Sequence, residues 1–198
     1  MSEKYWKMLG AVALIVLGVV GRLALKPFVP AGNALIAFDL FAVIGILAVL
    51  SGLLLGGYYS LAVPLSAMAV SDAILGNGLI LVFTWSGFAL MGYLGLRARQ
   101  SRAPTATFGL RLTGIGVAGI LAFDVWTNVG WWLVSPMYPH TLAGLGACFA
   151  MATPFIVGHL LTTAALLPTV SLAALYTVEN RARLVAAVRA RLGMPVTA

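Results

Sequence analysis

Five acids occur in 198 residues, and three of them, Asp39, Asp72 and Asp124, lie within or at the end of long apolar runs. An ionised carboxylate is costly in such surroundings, so each needs a partner or a task. Few bases can answer them: Arg22, which closes the first apolar run, and the two histidines, His140 and His159. Asp124 with either histidine is the one acid and base combination that could move a proton. His159 suits a proton relay or a ligand contact, or more simply a neutral imidazole bonded to a neighbouring helix. His140 follows Pro139 in a loop, where it is better placed for a ligand.

The segment Asp124-Val-Trp126-Thr127-Asn128-Val-Gly130-Trp131-Trp132 is the most unusual stretch of the chain. Asn128 offers both donors and acceptors to a polar ligand. Neighbouring helix positions point about 100° apart, so one of the two tryptophans can anchor at an interface while the other lines a cleft. Other chemistries lack their residues. No HExxH, CxxC or GxSxG pattern is present, and no glycine-rich loop ends in GK[ST]. The single cysteine, Cys148, allows neither an internal disulfide nor a multi-cysteine metal site. The sequence is therefore read as a non-enzyme without metal or cofactor, and any ATP-driven step would need a partner.

The elements that hold these residues follow from composition. With 62% hydrophobic residues, 9% charged residues and a mean hydropathy of +1.04, the chain has too much apolar surface for water. Lipid accepts it if every backbone polar group is satisfied internally, and long apolar runs without alternation choose helices over a barrel. The expected fold is all-α: a polytopic membrane protein with a six-helix bundle. Spans are expected near 8–25, 34–56, 58–75, 79–97 and 109–129, separated by glycine, proline and asparagine clusters. The stretch 141–178 would make a helix of about 57 Å, nearly twice the hydrocarbon thickness of about 30 Å. A break at Pro154 is expected, giving a short or re-entrant helix over 141–153 and a sixth span over about 155–177, with Pro168 a possible kink.

Charge placement supports six spans. They put Lys4, Lys7, Arg97, Arg99, Arg102, Arg111, Arg181, Arg183, Arg189 and Arg191 on one side, and only Arg22 and Lys26 on the other. The positive-inside rule makes the first side cytoplasmic, so both termini face inward in a cell (inner) membrane protein. The net charge of +7 is thus topology and not a nucleic-acid surface. Residues 1–178 form the bundle, and 179–198 a basic amphipathic tail suited to anionic lipid or to a cytoplasmic partner.

The same topology gathers the rare polar groups in the outer half. Asp72, Asn128, Trp131, Tyr138 and His140 are the expected solute contacts, with Arg22, Asp39, Asp124 and His159 as structural or coupling groups. The simpler alternative is that Arg22 pairs with one aspartate and the others cap helices or hold register. Small-xxx-small pairs at Gly52/Gly56, Gly114/Ala118, Ala143/Ala147 and Gly146/Ala150 speak only of helix packing.

Three segments carry a resemblance: Asn33 to Phe41, Pro64-Leu-Ser-Ala-Met-Ala-Val-Ser-Asp72, and Thr127-Asn128-Val-Gly-Trp131-Trp132 followed by Tyr138-Pro-His-Thr-Leu-Ala-Gly-Leu-Gly-Ala-Cys-Phe and Pro154-Phe. Over 32–179 the chain resembles a family of small prokaryotic membrane proteins of unknown function, itself similar to the substrate-capture S components of energy-coupling-factor transporters. The resemblance implies six helices, inward termini, and a vitamin or metal-related ligand held near the outer face beneath loops. It also implies a transmembrane coupling subunit and ATPases as partners. The Ala-xxx-Ala docking pattern of many S components is missing from the first helix, where the pairs are Ala11/Ile15, Ala13/Leu17 and Gly18/Arg22. Action alone, or with a different partner, is the corresponding expectation. The rival reading is a non-catalytic accessory subunit of a larger membrane complex.

Overall fold

A computed structural model describes residues 3–25, 40–76, 78–101 and 103–181, and beyond them 183, 184, 187 and 191. The described residues form six α-helices: α1 (Glu3–Leu25), α2 (Leu40–Leu50), α3 (Tyr59–Leu75), α4 (Leu81–Ala98), α5 (Ala106–Val134) and α6 (Leu142–Glu179). A π-helical turn, Ser51–Leu55, continues α2, and a short 3-10 turn, Arg99–Ser101, follows α4. Three helices, α1, α5 and α6, are long and apolar enough to cross a membrane, while α2 and α3 are shorter apolar helices. Asp39, Asn33 and Lys26 lie outside the described residues, as do the tail positions Val185, Val188 and Leu192.

Turn chemistry sets the helix ends. Gly56 (φ 69°) and Gly57 (φ 57°) take left-handed conformations that reverse the chain between α2 and α3. Arg99 reaches back from the end of α4 and donates to the Leu54 carbonyl at 2.6 Å, one of the acceptors left over at the end of the π turn. Thr105 and Thr141 begin α5 and α6 as N-caps, accepting from the backbone N–H of Phe108 (3.2 Å) and Gly144 (3.1 Å).

The helices alternate in direction. Lys4 and Lys7 share one end of the bundle with the 55–59 turn, and Arg181 lies 5.6 Å from the Trp6 ring at that same end. Arg99 and Arg111 belong to it too, Arg111 bonding Ser101. This is the basic end. The far end holds Arg22, the 76–80 connection and the 135–141 loop.

One expectation is corrected. No break occurs at Pro154: α6 runs unbroken for 38 residues through both Pro154 and Pro168. A proline removes one intrahelical bond, a loss that a long helix packed against its neighbours tolerates. Thr153 and Thr169 turn their hydroxyls onto the Phe149 and Ala165 carbonyls at 3.1 and 2.9 Å, next to the carbonyls that the prolines leave without a donor. Packing against α5 along its length supplies the remaining reason for a single helix.

The centre of the bundle is built on close backbone approach. A Cβ on Gly92 would stand 1.9 Å from the Ser60 carbonyl oxygen, and one on Gly95 would stand 2.1 Å from that of Val49. Gly52 meets the same face of α4, where a Cβ would lie 2.2 Å from the Gly92 oxygen. Pro64 explains part of this geometry. It has no N–H to offer the Ser60 carbonyl four residues earlier, so that oxygen turns out of α3 toward the glycine face of α4. Of the small-residue pairs expected from sequence, only Gly52 falls at this contact, whereas Gly114 and Gly146 meet nothing within 4 Å.

A buried ion pair ties α1 to α3. Arg22 (5% exposed) bonds Asp72 (8% exposed) and also donates to the Ser71 hydroxyl at 2.7 Å. Trp85 of α4 donates its indole N–H to the other Asp72 oxygen at 2.8 Å, so the cluster joins three helices. Around it lie Ile44, Ala67, Met68 and Phe88, part of the main apolar core.

Two expectations follow for stability. Gly92→Ala forces rigid backbone apart and should destabilise by about 1–3 kcal/mol or more, read as a fall in the thermal midpoint of the detergent-solubilised protein. Removing one partner, by Arg22→Ala or Asp72→Ala, should cost about 3–5 kcal/mol. The double change Arg22→Met with Asp72→Leu should recover most of that loss in the same assay, because no buried charge is left alone.

Candidate functional site

The second buried acid, Asp124, is handled differently. Helical spacing places Asp124, Thr127, Asn128 and Trp131 on one face of α5, and Cys148, Ala152, Phe155 and His159 on the facing side of α6. Between them, walled by Ile80 and Thr84 from the start of α4, lies a cleft of about 340 Å³. Its floor is Phe123, Asp124 and His159, all buried, and its mouth is Trp131 and Phe155, both more than two-fifths exposed. A second hollow of about 230 Å³ shares Asn128, Trp131 and Phe155 with the first and extends to Tyr138 and Cys148. Volumes of this order accommodate small metabolites.

The floor carries the chemistry. His159 Nδ1 lies 2.6 Å from Asp124 Oδ1, with the two side chains 7% and 3% exposed. The Phe123 ring presents itself edge to face with the imidazole at 6.4 Å, and packs on Phe88 at 4.6 Å from the other direction. Asn128 donates to the Asp124 backbone carbonyl at 2.7 Å, which fixes its amide and turns its side-chain oxygen toward Cys148, 4.0 Å away. Thr127 donates to the Phe123 carbonyl at 2.8 Å and Thr84 to the Leu81 carbonyl at 3.2 Å, so both hydroxyls face the cleft as acceptors. The site is thus an aromatic-walled hollow with one acid, one imidazole and several neutral acceptors. Among the described residues no three His, Cys, Asp or Glu side chains gather where a metal could be held.

Of the expected solute contacts, Asn128, Trp131 and Tyr138 come together here, while Asp72 and His140 do not. Asp72 faces α1 and is taken up by Arg22 and Trp85, the simpler alternative for that residue, and it does not line this cleft. His140 stays in the 135–141 loop, its ring 5.5 Å from Trp132, and that tryptophan in turn donates to the Pro139 carbonyl at 3.0 Å. The two adjacent tryptophans therefore divide the work: Trp131 lines the cleft and Trp132 braces the loop. Trp126 bonds Ser86 at 2.8 Å and packs on Phe83, joining α5 to α4.

Sequence reasoning missed Phe155 and Ala152 on α6 and Thr127 on α5, although steps of three and four residues from His159 and Asp124 would have reached them. Thr84 and Ile80 carried no such signal, because only tertiary packing brings the start of α4 to this wall.

No curated protein and no solved structure matches the chain. A family model does match, over residues 3–185, and its description is a family of unknown function, DUF6580. Since the match takes in nearly every described residue, both buried pairs and the cleft included, the chain belongs to the DUF6580 family.

Proposed function

We propose that this protein is a solute-binding membrane subunit of the S-component type, which captures a small metabolite in the cleft between α4, α5 and α6. In this reading all six helices lie in the cell membrane with the basic end in the cytoplasm, as the positive-inside rule favours. The far end then faces outward, and the mouth formed by Trp131 and Phe155 opens toward the outer leaflet. At 1.5 Å per residue α5 and α6 reach about 43 and 57 Å, which a hydrocarbon layer of about 30 Å accommodates by tilt and by protruding ends.

The observation that carries the reading is the contrast between the two buried polar clusters. Arg22 and Asp72 are taken up by Ser71, Met68 and Trp85 and line neither of the two hollows described above. Asp124 and His159 sit at the floor of one. Intramembrane ionisable groups that face a hollow are costly and mark ligand or ion sites. A coupling subunit with ATPases would drive uptake. Solitary capture is the variant that fits the first helix, which lacks the Ala-xxx-Ala docking pattern.

An accessory-subunit reading also has an observation in its favour. Gly114 of α5 and Gly146 of α6 are exposed with nothing within 4 Å of their Cβ positions, so small-residue faces suited to close helix contact stay uncovered.

Native mass spectrometry of the gently extracted protein separates the two. Capture predicts a bound metabolite that Asn128→Ala depletes at least about tenfold, the loss of about 1.4 kcal/mol from one well-placed hydrogen bond. Phe155→Ala should deplete it too, while Trp132→Phe, away from the cleft, should not. A partner protein in fixed ratio with an empty cleft would replace capture by the accessory role.

A further inference from the structure

The cleft has a definite charge balance. Among the described residues its ionisable lining groups are Asp124 and His159. Among the described residues, the titratable groups on the surrounding elements lie away from the cleft lining. The α2 segment Leu40–Leu50, which packs on α6, contains no titratable side chain. On α4 the titratable groups are Tyr93, half exposed and toward the basic end, and Arg97 in the last turn. On α5 and α6 the others are Arg111, Tyr176 and Glu179 at the basic end, and Cys148, buried beside Asn128. Asp72 is neutralised by Arg22 and lies beyond Trp85 on the α3 side of α4.

An empty cleft in such apolar surroundings is least costly when uncharged, with one proton held between carboxylate and imidazole. Loss of that proton leaves one negative charge on the floor. A cation then restores neutrality, and the walls are suited to it: the rings of Phe123, Phe155 and Trp131 attract positive charge, as Asp124 does from below. An anion would meet ring faces and a carboxylate, with no fixed positive group among the lining residues.

We propose that the cleft takes an organic monocation in exchange for the proton of the Asp124–His159 pair. The proton leaves His159 for the aqueous phase, Asp124 keeps its negative charge, and the bound cation supplies the positive one, so charge is conserved at each stage. The inference rests on the capture reading and narrows it to a solute class and a coupled ion. Since only the deprotonated pair accepts the cation, binding tightens as pH rises. The gain should be about tenfold per pH unit while the pair is mostly protonated, levelling off above that.

The test uses the full chain in nanodiscs with N-methylquinolinium as cationic probe and quinoline as its neutral parent, at pH values from about 6 to about 8. Titration calorimetry in two buffers of different ionisation enthalpy counts the protons released. The exchange predicts that the cation binds more tightly than quinoline, more so at the higher pH, with release approaching one proton per cation at the lower pH. His159→Gln, which keeps a polar partner for Asp124, should still prefer the cation to quinoline, the released proton then coming from Asp124 and the levelling-off falling at a different pH. Asp124→Asn should lose the preference for the cation. A cation bound no better than quinoline, or no better than to empty nanodiscs, or bound without proton release, overturns the exchange. A co-purifying solute that proves neutral or anionic discards it as well, and leaves capture standing.

Discussion

The 2.6 Å contact between Asp124 and His159 is the constraint around which the far half of the bundle is arranged. Both side chains are buried, and each is tolerable there with the other within hydrogen-bond reach. That requirement fixes the register of α6 against α5. It places Phe155 and Ala152 one and two turns from His159, opposite Thr127, Asn128 and Trp131. The hollow between them thus follows from the same pairing.

The rest of the molecule contrasts with this region. Around α3 and α4 the backbones meet at Gly52, Gly92 and Gly95 with no room for a side chain, and the Arg22–Asp72 pair is closed in by Ser71 and Trp85. Dense packing of this kind forms a stiff wall. The α5 and α6 hairpin leans on that wall through α4, where Gly87 receives the Phe123 ring and Gly130 that of Phe83. A firm half supporting a hollowed half is the arrangement a binding protein needs: the wall holds Thr84 and Ile80 in place while the cleft keeps its volume.

Much of this was legible in the sequence. Apolar runs broken by Gly56-Gly57, by the 76–78 segment and by the 135–140 loop located the helices, because glycine, proline and asparagine interrupt a helix wherever they cluster. The gathering of Arg22, Asp72, Asn128, Tyr138 and His140 toward one end also follows from counting helices, since alternating direction assigns ends without knowledge of contacts. Partnership was the harder matter. Whether Arg22 chose Asp72 or another acid depends on how helices turn about their axes, and that is set by Gly18 and Gly21 packing on α2 rather than by spacing along the chain. Pro154 misled for a related reason: its effect depends on whether packing against the α5 surface holds the helix on course, which a single segment does not reveal. Thr84 was invisible because nothing near it in sequence marks that wall of the cleft.

The most direct test of a cleft open at the far end, with the basic end on the opposite side, is cysteine accessibility in intact cells. In a Cys148→Ala background, single cysteines at Thr127, in the cleft, and at Tyr58, exposed at the basic end, are treated with a membrane-impermeant thiol reagent. The account predicts that Thr127→Cys reacts when the reagent is added outside, and that Tyr58→Cys reacts only after permeabilisation. Labelling of Tyr58→Cys from outside, or no labelling of Thr127→Cys under either condition, would contradict it.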